Sequence, residues 1–259
     1  MLLQALSVAI WAGLCSLDDG GIQLQIRKPL LAGTVTGLLL GDLEQGLIIG
    51  GTLELMWLGV NSVGAYNPPD ITGGAIIGTV AGITSGGGVS VGVAFAVPAA
   101  TLILQLVVLL QTYLSVHIHR AEADAKTGDF DKVNRWHLLS GLFLFLVRAV
   151  PCFIAVFLGN TILQDFIDWL PAFITDGLTV ASGMIPAVGI SMLLTMMLKK
   201  NMWMYLVAGF IFAAYLELPI LGVSLIGLVF AGIYDYNFVQ NKKMEESINS
   251  MEVEGGIDL

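Results

Sequence analysis

The sequence predicts an all-α, polytopic integral membrane protein that contains several short, re-entrant or Gly- and Pro-broken helices. Three observations carry that expectation. Hydrophobic residues make up 56% of the chain and charged residues only 12%, against about 25% charged in ordinary soluble domains. A soluble chain of 259 residues has no means of hiding so much apolar surface, because even large domains expose much of their area. Apolar runs recur along the whole chain, yet only those at 89–116, 138–159 and 177–198 comfortably reach span length, which is about 20 residues for a straight helix. The other runs are cut short by Gly and Pro, a pattern that membranes tolerate only where broken helices line a cavity.

The elements follow in order. The run 2–17 lacks a basic flank and an A-x-A cleavage signal, and Leu14 before Cys15 fits a lipid-attachment site poorly, so it reads as a retained membrane segment. Polar residues Asp18–Lys28 end it. The runs 29–41, 45–65 and 71–85 are too short or too broken for straight spans. Gly74, Gly78, Gly82 and Gly86 recur every four residues, a smooth stripe that suits close helix packing within the subunit. After 89–116 comes a long polar loop, His117–His137, then the run 138–159. Ile162–Leu170 places Asp165 and Asp168 at helical spacing among large apolar residues, an amphipathic helix at the interface. Beyond 177–198, the half-length runs 202–216 and 219–234 flank Glu217, which reads as the apex of a hairpin. Residues 1–236 form the membrane domain, and 237–259 an acidic, solvated and disordered tail.

Basic residues set the orientation. Arg120, Lys126, Lys132 and Arg135 share the long loop, while Lys199, Lys200, Lys242 and Lys243 return to the same side if the intervening runs cross. That side, with the C-terminus, is assigned to the cytoplasm. The net charge of -9 is concentrated partly in the tail, and no basic cluster suits nucleic acid. Cys15 and Cys152 lie in apolar runs and read as small buried hydrophobes, not as a disulfide.

No catalytic constellation is present. There is no Walker loop, no H-E-x-x-H and no G-x-S-x-G elbow, and neither metal nor cofactor is expected. What remains is a set of polar residues enclosed by apolar sequence. Glu54 is foremost, since its closest preceding cation is Lys28 and a charge at membrane depth costs about 2.5–3.5 kcal/mol on insertion scales. Around it stand Thr52, Asn61, Ser62, Asn67 and Asp70, the last following Pro68-Pro69, which forbids a regular helix there. Gln23 and Gln25 alternate with Ile22, Leu24 and Ile26, so both point one way if the stretch is extended. Carboxylates and side-chain amides suit sugar hydroxyls, which both donate and accept. Arg148, the second intramembrane charge, forms a supporting ion pair with Glu54, Asp70 or Glu217 in this reading. Taken alone, these residues leave three classes open: a sugar permease, an ion-coupled solute carrier, or a non-transporting membrane scaffold.

One block separates them. Leu40-Gly-Asp-Leu-Glu-Gln-Gly-Leu-Ile-Ile-Gly-Gly-Thr-Leu-Glu54, with Pro69-Asp70 downstream, resembles the IIC subunit of mannose-family (mannose/fructose/sorbose) sugar phosphotransferase systems. Arg27-Lys28-Pro29-Leu30 looks like that family's His-Arg-Pro-Leu, and Gln25 falls where members carry a Gln. Phe145-Leu-Val-Arg148 and Gly177 to Met184 are similar as well, so the resemblance spans about Ala5 to Tyr234.

The resemblance implies a permease that binds and translocates a hexose or amino sugar. It implies a IID membrane subunit as partner, cytoplasmic IIA and IIB phosphocarriers that hold the phosphotransfer chemistry, and assembly as a trimer of IIC–IID pairs. It further implies an elevator-like motion, with sugar held near Glu54 and the Pro-Asp turn. Gln23, Gln25, Thr52, Glu54, Asn61, Asn67 and Asp70 are the expected sugar contacts. In Val60-Asn-Ser-Val-Gly-Ala-Tyr-Asn-Pro-Pro-Asp70 the Asn is displaced by one from the mannose-type pattern, and Tyr66 and Asn67 are additions. Mannose specificity is therefore not carried over.

Overall fold

A computed structural model of the chain describes residues 2–60, 67–169, 172–198 and 202–255, all in helices, turns and coil, with no strand among them. Two compact units emerge, Met1–Met196 and Met197–Leu259. The first holds α1 (Leu2–Gly20), α2 (Pro29–Leu40), α3 (Leu43–Met56), α4 (Ile71–Thr84), α5 (Gly88–Lys126) and α6 (Phe130–Trp169), and α7 (Ala172–Met197) ends at its border. The second unit holds α8 (Trp203–Ala214) and α9 (Ile220–Gly255), joined through a turn at Glu217.

Helix length sorts the elements. With 12, 14 and 14 residues, α2, α3 and α4 are about 18–21 Å long, well short of a hydrocarbon core of about 30 Å. Four helices among the described residues are long and apolar enough to cross: Leu2–Gly20, Gly88–Lys126, Phe130–Gly159 and Ile220–Gln240. Two of these read as short in sequence. They gain length because polar residues at their ends, Asp18 and Asp19 in α1 and Asp235 and Asn237 in α9, stay helical.

α2 and α3 form a tight hairpin. Pro29 opens α2, where its missing N–H is no loss. Gly41 closes it in the left-handed region (φ 94°), and Asp42 caps α3 by accepting from the Gln45 N–H at 3.0 Å. The two backbones touch: a methyl on Gly33 would lie 2.8 Å from the Gly50 Cα, and one on Gly37 2.5 Å from the Gly46 Cα. The glycines of the family-like block thus fold the half-length hairpin.

α4 sits at the centre, packed against α1, α2, α3, α5 and α6. Ala75, Ile76 and Val80 join Ile49 and Leu53 of α3, Val93 and Ala96 of α5 and Val156 of α6 in one core. The predicted glycine stripe faces α5 within the chain. A Cβ at Gly78 would meet the Gly92 carbonyl oxygen at 2.6 Å, and one at Gly82 the Gly88 oxygen at 2.5 Å. Gly86 leaves the stripe: its φ of 68° puts it in the turn between α4 and α5.

Two other expectations change. The loop His117–His137 is helical except at a turn after Lys126, because α5 and α6 run on past the membrane as an antiparallel hairpin. His117 donates to or accepts from Ser140 Oγ at 3.1 Å, Trp136 Nε1 donates to Asp124 at 2.9 Å, and Arg120 stacks over Trp136. These contacts across the hairpin give the polar residues helical partners in place of water. Ile162–Leu170 is not a separate helix, since α6 is continuous through Trp169. Helix α9 runs on as far as Gly255, for Lys, Met and Glu are good helix formers.

Gly78→Leu should force α4 from α5 and lower stability by about 1–3 kcal/mol, the usual cost of overpacking. The check is thermal unfolding in detergent; an unchanged midpoint would show that the stripe is not a packing surface.

Candidate functional site

Two short helices, α2 and α4, begin, and α1 ends, around one chain of polar contacts. Asp70 caps α4: its Oδ1 accepts from the Gly73 N–H at 2.7 Å. Its Oδ2 accepts from Arg148 Nε at 2.7 Å, reaching from the middle of α6. Arg148 Nη2 donates to Asp19 at the end of α1, also at 2.7 Å. The other oxygen of Asp19 pairs with Arg27 Nη1 at 2.9 Å, and the Arg27 carbonyl accepts from Thr72 Oγ1 of α4 at 2.9 Å. The order of contacts is Asp70–Arg148–Asp19–Arg27.

Burial grades along this chain. The side chains of Arg148 and Asp70 are 8% and 4% exposed, whereas Asp19 and Arg27 are 35% and 28% exposed. The Arg148–Asp70 end is locked in protein and structural. The Arg27–Asp19 end is partly exposed.

Glu54 stands at the end of α3, half-buried, and its Oε2 accepts from the Leu30 N–H at 3.2 Å. It thereby caps α2, whose N-terminal dipole favours a negative charge. Arg148 makes its ion pairs with Asp70 and Asp19. Of the three partners weighed in the sequence, it takes Asp70. The scaffold reading needed a Glu54–Arg148 pair and loses its premise.

The remaining candidates divide. Gln23 and Gln25 are exposed, but not in an extended stretch: both adopt left-handed φ values, 57° and 66°, in the turn between α1 and α2. The turn arises because Asp18 draws it back toward α1, accepting from the Leu24 N–H. Thr52 donates to the Ile48 carbonyl at 2.8 Å within α3, leaving its oxygen free to accept. Asn67 is exposed just before Pro68. Asn61, with Ser62 and Tyr66, lies outside the described residues. Sequence reasoning missed Asp19 and Arg27 as members, and Asp18 beside them. The available signal was two adjacent carboxylates closing an apolar helix with an unpaired Arg148 elsewhere.

Other features do not compete. His117 is buried beside Tyr113, Trp136 and Phe143, a core histidine. No group of metal-ligating side chains occurs among the described residues. An open groove of about 460 Å³ along α1 and α6 is lined by Leu17, His137, Leu138, Gly141, Leu142 and Phe145. Its lining offers one polar side chain and is a poor match for a polyhydroxylated solute.

Removing Arg148 should leave the Asp70 carboxylate uncompensated in the core, and losing one partner of a buried pair costs about 3–5 kcal/mol. Arg148→Ala should sharply reduce folded protein in membranes. Asp70→Asn, which keeps a good cap, should be milder than Asp70→Ala. Equal yields for those two variants would separate the cap from the fold.

Comparison with known proteins fits this arrangement. The family profile described as PTS system sorbose-specific IIC component matches residues 2–233. The sorbose-specific EIIC component of Lacticaseibacillus casei is 33% identical, over 90% of this chain and 84% of the relative. The mannose-specific EIIC component of Escherichia coli strain K12 is 34% identical, over 88% and 85%. Two solved structures, each 31% identical and covering 90% of this chain and 95% of theirs, superpose with TM-scores of 0.82 and 0.59. The first is described as a membrane protein, the second as the mannose transporter ManYZ in complex with microcin E492.

Proposed function

The chain belongs to the family of sorbose-type IIC components of sugar phosphotransferase systems, and on that premise we propose that it holds its sugar at the turn between α1 and α2 and at the junction of α2, α3 and α4. It is a membrane permease subunit, a transport component. Glu54, Asp70, Gln25, Asn61, Asn67, Gln23 and Thr52 are the proposed contacts, with Arg148 in support. Their shares differ. Glu54, Gln23 and Gln25 present groups outward, whereas both oxygens of Asp70 are engaged in protein contacts, so Asp70 shapes the site from beneath.

The observation that carries this reading is the meeting of short helix ends at a graded polar chain, open at Arg27 and Asp19. Half-length helices at membrane depth are tolerated where they line a cavity. Amides and carboxylates at that place suit hydroxyls. The substrate is a hexose or amino sugar. A IID membrane subunit completes the conducting unit, IIA and IIB phosphocarriers supply the phosphoryl group, and the working assembly is a trimer of IIC–IID pairs in a bacterial cell membrane, C-terminus in the cytoplasm. The phosphotransferase activity resides in the partners, for this chain brings no phosphate-cradling loop.

The test is phosphoenolpyruvate-dependent phosphorylation of sorbose, fructose, mannose and N-acetylgalactosamine, using membranes with and without this chain. Phosphorylation of at least one sugar should require it. Glu54→Gln keeps an acceptor for the Leu30 N–H but removes the charge. It should lower the activity at least tenfold while the chain still co-purifies with IID. Wild-type rates from that variant would sink the site assignment.

A further inference from the structure

Asp18 is a buried carboxylate that none of the proposed contacts accounts for. It is 5% exposed, closes α1, and carries out two tasks with one side of the residue. Its Oδ1 accepts from the Leu24 N–H, and its backbone carbonyl accepts from the Gln23 N–H at 3.2 Å. Oδ2 is buried with no hydrogen-bond partner. The residues it holds are Gln23 and Leu24, at the heart of a turn in which Gln23 and Gln25 have positive φ, 57° and 66°. Left-handed backbone is uncommon for side chains of this kind and persists when the surroundings over-determine it, most often at functional sites. Two further ties fix the far side of the turn: Cys15 Sγ lies 3.6 Å from the Ile26 carbonyl, and Thr72 Oγ1 donates to the Arg27 carbonyl.

We propose that Asp18 is the positioning residue of the sugar site: it holds the turn in which Gln23 and Gln25 keep left-handed φ values and stand exposed, and it does so through geometry at Oδ1 rather than through its charge. The inference rests on the reading of Gln25 as a sugar contact. Without the Asp18 tie, the turn relaxes toward ordinary φ values and the exposed amides are displaced. Sugar affinity falls while the transport machinery beyond the turn is intact. Asn at this position keeps an oxygen for the Leu24 N–H, so it preserves the turn; Ala does not.

The experiment measures KM and maximal rate of phosphoenolpyruvate-dependent phosphorylation in membranes carrying the full system, with the sugar selected from the four-sugar panel. Asp18→Ala should raise KM at least tenfold with the maximal rate within about threefold of wild type. Asp18→Asn should stay within about threefold in both. The double variant Asp18→Ala with Gln23→Gly, which also lacks the Gln23 amide, should have a KM within about threefold of Gln23→Gly alone, because glycine takes positive φ without strain. An unchanged KM for Asp18→Ala, or an Asn variant as defective as Ala, overturns the proposal. If Asp18→Ala does not assemble, the double variant decides: recovered assembly supports a strained turn held by Asp18, and continued failure refutes it. Gln25→Gly keeps the backbone and deletes only the amide, so it tests the underlying site. If Gln25→Gly leaves KM unchanged, the sugar-contact reading fails; if it raises KM and Asp18→Ala does not, only the Asp18 inference fails.

Discussion

The pair between Arg148 and Asp70 is the constraint on which the rest of the first unit depends. A guanidinium in the middle of an apolar helix has to be matched, and Asp70 does so with the oxygen that its capping role leaves free. That single carboxylate fixes where α4 begins and ties it to α6. Through Asp19, Arg148 also holds the end of α1, and through Arg27 the entry to α2. The charges that look most costly in the sequence are therefore the ones that set the relative positions of four helices. Breaking a buried pair is more harmful than never having built it, which makes the arrangement stiff against change.

Stiffness there contrasts with the way the short helices pack. Beside the buried Ile49, Leu53, Ile76 and Val80, α2, α3 and α4 gain stability through close backbone approach at glycines. Such contacts are smooth. Smooth faces at the core and strained, tethered turns at the helix ends are different physical solutions placed side by side, and the polar side chains stand where the two meet.

Much of this was legible in the sequence. Nine apolar runs correspond to nine helices among the described residues, because hydropathy and glycine and proline punctuation act locally. The block from Leu40 to Glu54 identified the family, and Gly41, Gly46 and Gly50 in it are demanded by the hairpin. The helical extension of α5 and α6 was not legible, since Trp136, Asp124 and Arg120 find partners only across the hairpin. Nor was the true setting of Gln23 and Gln25. Their alternation with apolar residues mimics a strand, and only the reach of Asp18 from the preceding helix turns it into a left-handed bend. Glu54 was expected as an isolated charge; a helix terminus 24 residues earlier stabilises it, and no local pattern announces such a contact.

The α5–α6 hairpin has a geometric consequence of its own. With 39 and 40 residues, its helices are about 58–60 Å long, roughly twice the hydrocarbon thickness. Pro98 and Pro151 each delete a backbone bond on the membrane side, while the aromatic, histidine and tryptophan contacts bind the two strands of the hairpin together beyond it. Such a body is a lever. A tilt of about 5° at Pro98 moves the tip at Lys126, about 42 Å away, by about 4 Å, so small rotations near the proline are magnified at the far end of the hairpin.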